Sequence, residues 1–170
     1  MSRERERLLK SFVEGLRVAR GDRLLDVLGI LGHNLQALWE PSELPVVKEL
    51  LSSLVEILED QQTDLALRGA IAETLSILGP VIDALILGGS LSASLPHLLE
   101  LRGLVLSGYV TCFNKPTALL GRETLAGALR NFKPADDVLA LLQKALTDPA
   151  ASVRDKAAES LALISAGKSP

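Results

Sequence analysis

At 170 residues the chain is long enough to bury the core of one domain. It carries a net charge of −3, one cysteine and two histidines. Apolar residues make up 48% but aromatics only 3%, so Leu, Ala, Val and Ile must fill the interior. A leucine-rich sequence with few runs of β-branched alternation predicts an all-α protein. The acidic balance and the lack of a basic stripe argue against nucleic acid as a partner. A single cysteine, Cys112, excludes an internal disulfide and predicts a reducing compartment, cytoplasm or nucleus. No secretory signal is expected, because Arg3-Glu4-Arg5-Glu6-Arg7 follows the first residues without a sustained apolar run. The longest strongly apolar stretch free of charge, Gly103 to Asn114, is too short to span a bilayer, so no membrane span is expected.

In chain order, residues 3 to 19 read as an amphipathic helix with Leu9, Phe12, Val13 and Leu16 on its apolar face and Gly21 as its stop. Asp22 opens a second helix with the stripe Leu24, Leu28, Leu31, Leu35 and Leu38. Ser42 opens a third, with Pro45 tolerated in its first turn. A fourth helix is predicted from Asp64 to Leu78, broken or kinked at Gly79-Pro80, and a short apolar helix from Val81 to Leu87. The glycine- and serine-rich run 88–94 is the candidate hinge. The next helix, 98–113, is apolar on all sides, which predicts burial between neighbours or, alternatively, a docking surface. Another helix runs from Thr117 to Phe132. Pro134 to Ile164 then splits at Asp148-Pro149 into two helices, and residues 166–170 form a flexible tail after a single domain, 1–165.

Two segments repeat. Leu50, Leu51, Leu54, Ile57 and Leu58, followed by Asp60, parallel Val138, Leu139, Leu142, Ala145 and Leu146, followed by Asp148. Leu67-Arg68 and the helix behind it parallel Val153-Arg154 and its helix. A helix, an Asp turn with Pro, then Val-Arg opening a second helix resembles the HEAT/armadillo-type repeat family, over segments 45–78 and 134–164. Arg68 and Arg154 are separated by about twice the roughly 43-residue period of such repeats. Further copies are expected near Thr111 and Leu25, though neither carries the Asp-turn-Arg signature. The resemblance implies a short α-solenoid of eight or nine helices in antiparallel pairs. It also implies that Asp148 with Arg154, and Asp60 with Arg68, tie turns and neighbouring repeats together.

Catalytic constellations are scarce. His33 and His97 lie in distant segments without a Cys or carboxylate at metal-ligand spacing. Cys112 sits among apolar residues, where a thiol is inert. Gly88-Gly89 lacks the lysine of a phosphate loop. Asp136-Asp137 opens a helix, where negative charge complements the helix dipole. No enzyme, cofactor or metal is therefore expected. The function predicted is a non-catalytic adaptor or scaffold that binds a peptide or helix of a partner protein in the groove of the second helices. Glu73, Lys156 and Glu159 are the candidate groove residues. Tyr109 and Phe113 are the candidate apolar anchors if helix 98–113 is exposed. A homodimer through that helix is the alternative. HEAT-like enzymes exist among DNA glycosylases and chromophore lyases, but a glycosylase needs a basic groove and aromatics around the nucleotide, which this composition lacks.

Overall fold

In a computed structural model of the chain, residues 2–18, 22–34, 40–89 and 92–167 are described. They form eight α-helices, and the described residues contain no strand: α1 (Ser2–Val18), α2 (Asp22–Asn34), α3 (Leu44–Glu59), α4 (Leu65–Gly88), α5 (Leu95–Asn114), α6 (Leu119–Ala128), α7 (Asp136–Ala145) and α8 (Ala151–Ser165). Single 3-10 turns precede α3 and α5 and follow α6. The protein is all-α.

Local chemistry sets the boundaries. Pro45 stands in the first turn of α3, where its missing N–H costs nothing. Asp64 caps α4, its carboxylate accepting from the Leu67 amide at 2.8 Å. Gly89, with φ of 62°, ends the same helix in the left-handed conformation that only glycine adopts freely. The expected break at Gly79-Pro80 does not occur: α4 runs on through Pro80 to Gly88. Gly79 explains part of this, because the ring of Phe132 occupies the place of its absent side chain, holding that turn in the core. The continuous α4 is also long and apolar enough to cross a membrane by length and composition, a length the break would have denied it. Half of its most apolar window is buried against the other helices.

Odd-numbered helices pack on one another in series, α1 on α3, α3 on α5 and α5 on α7. Even-numbered helices do the same, α2 on α4, α4 on α6 and α6 on α8. One continuous aliphatic core lies between the two rows, and Tyr109 and Phe132 meet edge to face in it with ring centroids 5.7 Å apart. Helices α4 and α6 approach closely, with Gly121 against the Gly69 backbone and the Ala72 methyl, and Ala118 against Gly69.

The expected middle copy near Thr111 is not a second helix, since Thr111 belongs to the last turn of α5. Arg122 holds the corresponding position instead. It is the fourth residue of α6, as Arg68 is of α4 and Arg154 of α8. Of the expected hinge, residues 90–91 lie outside the described residues, as do Gly21, the end of the second predicted helix (35–39), the side chains of Asp22 and His33, and residues 168–170 of the tail.

Candidate functional site

The three arginines build a line of contacts along the inter-helix turns. Arg68 donates to the Asp60 carbonyl of its own turn (2.8 Å) and to the Pro116 carbonyl of the next pair's turn (3.1 Å). Arg122 donates to Thr117 in its own turn and pairs with the Asp148 carboxylate of the next turn at 2.9 Å. Arg154 donates to the carbonyls of Asp148 (2.8 Å) and Pro149 (2.9 Å), both in its own turn. Asp148 also accepts from the Ala150 amide, so the carboxylate organises its turn while it holds Arg122. Lys115 adds a tie at the same edge, capping the last carbonyl of α3 at Glu59 (2.6 Å).

A second ionic group joins three helices elsewhere. Asp83, buried on α4, accepts from Arg102 of α5 at 2.8 Å and from the Lys133 amide. The same guanidinium reaches Asp137 at the start of α7. Its hydrogen bond and charge hold the Asp137 carboxyl below the usual range. Asp137 also accepts from the Val138 amide, combining the expected helix-start role with the ion pair.

On the even-helix face, the short α6 packs between α4 and α8 and carries the small residues Gly127 and Ala128. The result is a recess of about 420 Å3, lined by Ser76 of α4, by Leu120, Glu123, Thr124 and Gly127 of α6, by Arg130 beyond its end, and by Lys156 of α8. Leu120 is 62% exposed, a large apolar side chain offered to solvent. Of the groove residues expected from sequence, Lys156 lines the recess and Glu159 pairs with it (3.0 Å) and with Arg130 (3.2 Å). The Lys156 hydrogen bond and charge lower the Glu159 pKa. Glu73 is exposed one turn before Ser76, whose hydroxyl donates to the Glu73 carbonyl. Lys156 and Glu159 share α8, and Glu73 comes from α4, a segment far from it in sequence. Leu120, Glu123, Thr124 and Arg130 escaped sequence reading because α6 lacked a recognised repeat; aligning Arg122 with Arg68 and Arg154 would have exposed them.

The aromatic anchors depend on helix 98–113 being exposed, and at Tyr109 it is not. Tyr109 is fully buried, its hydroxyl donating to the Leu75 carbonyl at 3.3 Å, and desolvation pushes its pKa well up. It is core, not surface. Phe113 is half-buried and packs on the same core. Helix α5 does keep an exposed edge, at Leu99 and Val110, and a cavity of about 440 Å3 between α5 and α7 opens beside Val110. Cys112 is buried, and desolvation pushes its pKa up to about 12. His97 is exposed. Among the described residues, no group of three or more His, Cys, Asp or Glu side chains is placed to hold a metal. The chain matches no known family profile, curated protein or solved structure.

Proposed function

We propose that this chain is a non-catalytic protein-binding module, a short HEAT-like α-solenoid that works as an adaptor or scaffold in the cytoplasm or nucleus. The observation that carries this reading is the recess over α6, which sets exposed Leu120 between hydroxyls and charges from three helices. Such a surface suits a short helix or peptide: an apolar anchor covers Leu120, and the rim charges of Glu123, Arg130 and Lys156, with Glu159 paired to the last two, choose its orientation. The rim charges are mixed in sign, which favours a partner segment that is itself amphipathic over a polyanion.

The test is affinity capture of the tagged chain from native lysate with quantitative mass spectrometry, run in parallel on Leu120→Asp and Val110→Asp. A stoichiometric partner held by the wild type and by Val110→Asp but lost from Leu120→Asp is the expected result. The reading fails if no protein co-purifies stoichiometrically, or if the partner ignores Leu120→Asp.

A further inference from the structure

The second helices of three successive pairs carry the same stripe, Arg-x-x-apolar-Ala-x-x-Leu. It reads Arg68, Ala72 and Leu75 on α4, Arg122 and Ala126 on α6 with Leu129 just past its end, and Arg154, Ala158 and Leu161 on α8. On α4 and α6 this stripe is covered by the next pair. Ala72, Leu75, Ala126 and Leu129 are fully buried. Gly121 of α6 rests on Ala72, and Ser160 of α8 donates to the Ala126 carbonyl at 2.9 Å. Arg68 and Arg122 each reach an acceptor in the following turn as well as their own.

Among the described residues, nothing covers the same positions on α8. Ala158 is exposed, Leu161 is half-buried, and among the described residues the acceptors of Arg154 all lie in its own turn. Ala162, one turn beyond Ala158, is exposed too, and Leu139 of α7 and Leu146 just past its end are half-buried. This face therefore has the chemistry of an internal stacking surface: a small-residue seat, a partly covered leucine, and a guanidinium already oriented by two carbonyls.

The opposite end of the molecule offers a complement. Helix α2 packs on α1 and α4 and leaves Arg23, Asp26 and Ile30 exposed. Ile30 is 57% exposed, a branched side chain of the size that an alanine seat accepts. Arg23 and Asp26 carry charges opposite to Asp155 and Arg154 beside that seat.

We propose that a second copy of this chain docks its α1–α2 end on the α7–α8 face of the first, so that the chains stack head to tail and continue the internal packing of helix pairs. Such an interface joins two different surfaces. Each complex keeps one free copy of both, and assembly runs on into longer species or closes into a ring.

The experiment uses sedimentation velocity on the full chain from about 1 μM to about 1 mM, with Ala158→Arg blocking one surface and Ile30→Arg blocking the other. Both positions are exposed, and circular dichroism checks that each variant folds. The wild type is expected to form a concentration-dependent series of oligomers, and each variant alone to remain monomeric. An equimolar mixture of the two is expected to yield a heterodimer that stops at two chains, through the α8 face of Ile30→Arg and the α2 face of Ala158→Arg. A wild type that stays monomeric throughout overturns the proposal. So does a folded variant that still assembles, a mixture that stays monomeric, or a dimer that persists in both variants and disappears in Val110→Asp.

Discussion

Arg122 is the side chain on which the middle of the molecule turns, because it connects two turns through a nearly buried ion pair. Its side chain is 18% exposed and that of Asp148 is 6%. A carboxylate at that depth depends on its cation, and removing one member of a buried pair costs about 3–5 kcal/mol. The residual exposure and the Ala150 amide bond to Asp148 place the expected cost of Arg122→Met nearer 2–3 kcal/mol. The double variant Arg122→Met/Asp148→Ala should lose less than the sum of the two singles, since the orphaned charge is gone. Urea denaturation of the four proteins measures this, and additive losses would show that the pair is not coupled. The same residue marks the limit of what the sequence told. Arg68 and Arg154 sat in segments whose Asp turns were recognisable. Arg122 follows Pro116-Thr117-Ala118, with no Asp in its turn, and the long α4 moved it away from the even spacing. Its acid is supplied by the next turn, a long-range contact that no local pattern announces.

At the scale of the helix, two glycines predict opposite responses to one added methyl group. A Cβ on Gly121 would stand 2.9 Å from the Gly69 Cα, a backbone atom that cannot swing aside, so α6 would have to lift from α4. Gly103 in α5 meets nothing within 4 Å. Gly103→Ala should therefore stabilise the protein by about 0.5–1 kcal/mol through the lost flexibility of the unfolded chain. Gly121→Ala should destabilise it by about 1–3 kcal/mol through overpacking. Thermal melts of the two variants decide it; a gain at both sites would mean that the α4–α6 contact is looser than its geometry. The sequence offered both glycines with no means of telling them apart, because close approach depends on which helices meet. Helix identity was more legible: apolar periodicity placed seven of the helices, and the break that Gly79-Pro80 signalled is absent where Phe132 packs on Gly79. Tyr109 took the buried one of the two readings open for its helix. A helix apolar all round gives no clue to its outward edge, and the core claimed the aromatic while Leu99 and Val110 were left outside.

Across the whole molecule, the group that joins α4, α5 and α7 predicts how stability changes with acid. Arg102 sits between Asp83 and Asp137, so three helices share one cation. The Asp137 carboxyl is held below its ordinary value of about 4. The folded state thus binds its proton less readily than the unfolded state does. The stability this contributes is complete above the unfolded pKa and is lost as pH falls through the depressed folded value. Stability should be insensitive to Asp137 protonation from pH 7 to about 5 and should fall on acidification below about 4. Asp137 is about half exposed, so solvent screening limits its share to about 1 kcal/mol or less. Asp137→Asn should lower stability at pH 7 by that amount and flatten the acid limb below pH 4, converging on the wild type near pH 2. Denaturant titrations of both proteins at pH 7, 5, 4, 3 and 2 test this. Parallel curves for wild type and variant, separated by a constant offset, would mean that Asp137 titrates in the fold as it does in the unfolded chain, and that Arg102 is held by Asp83 alone.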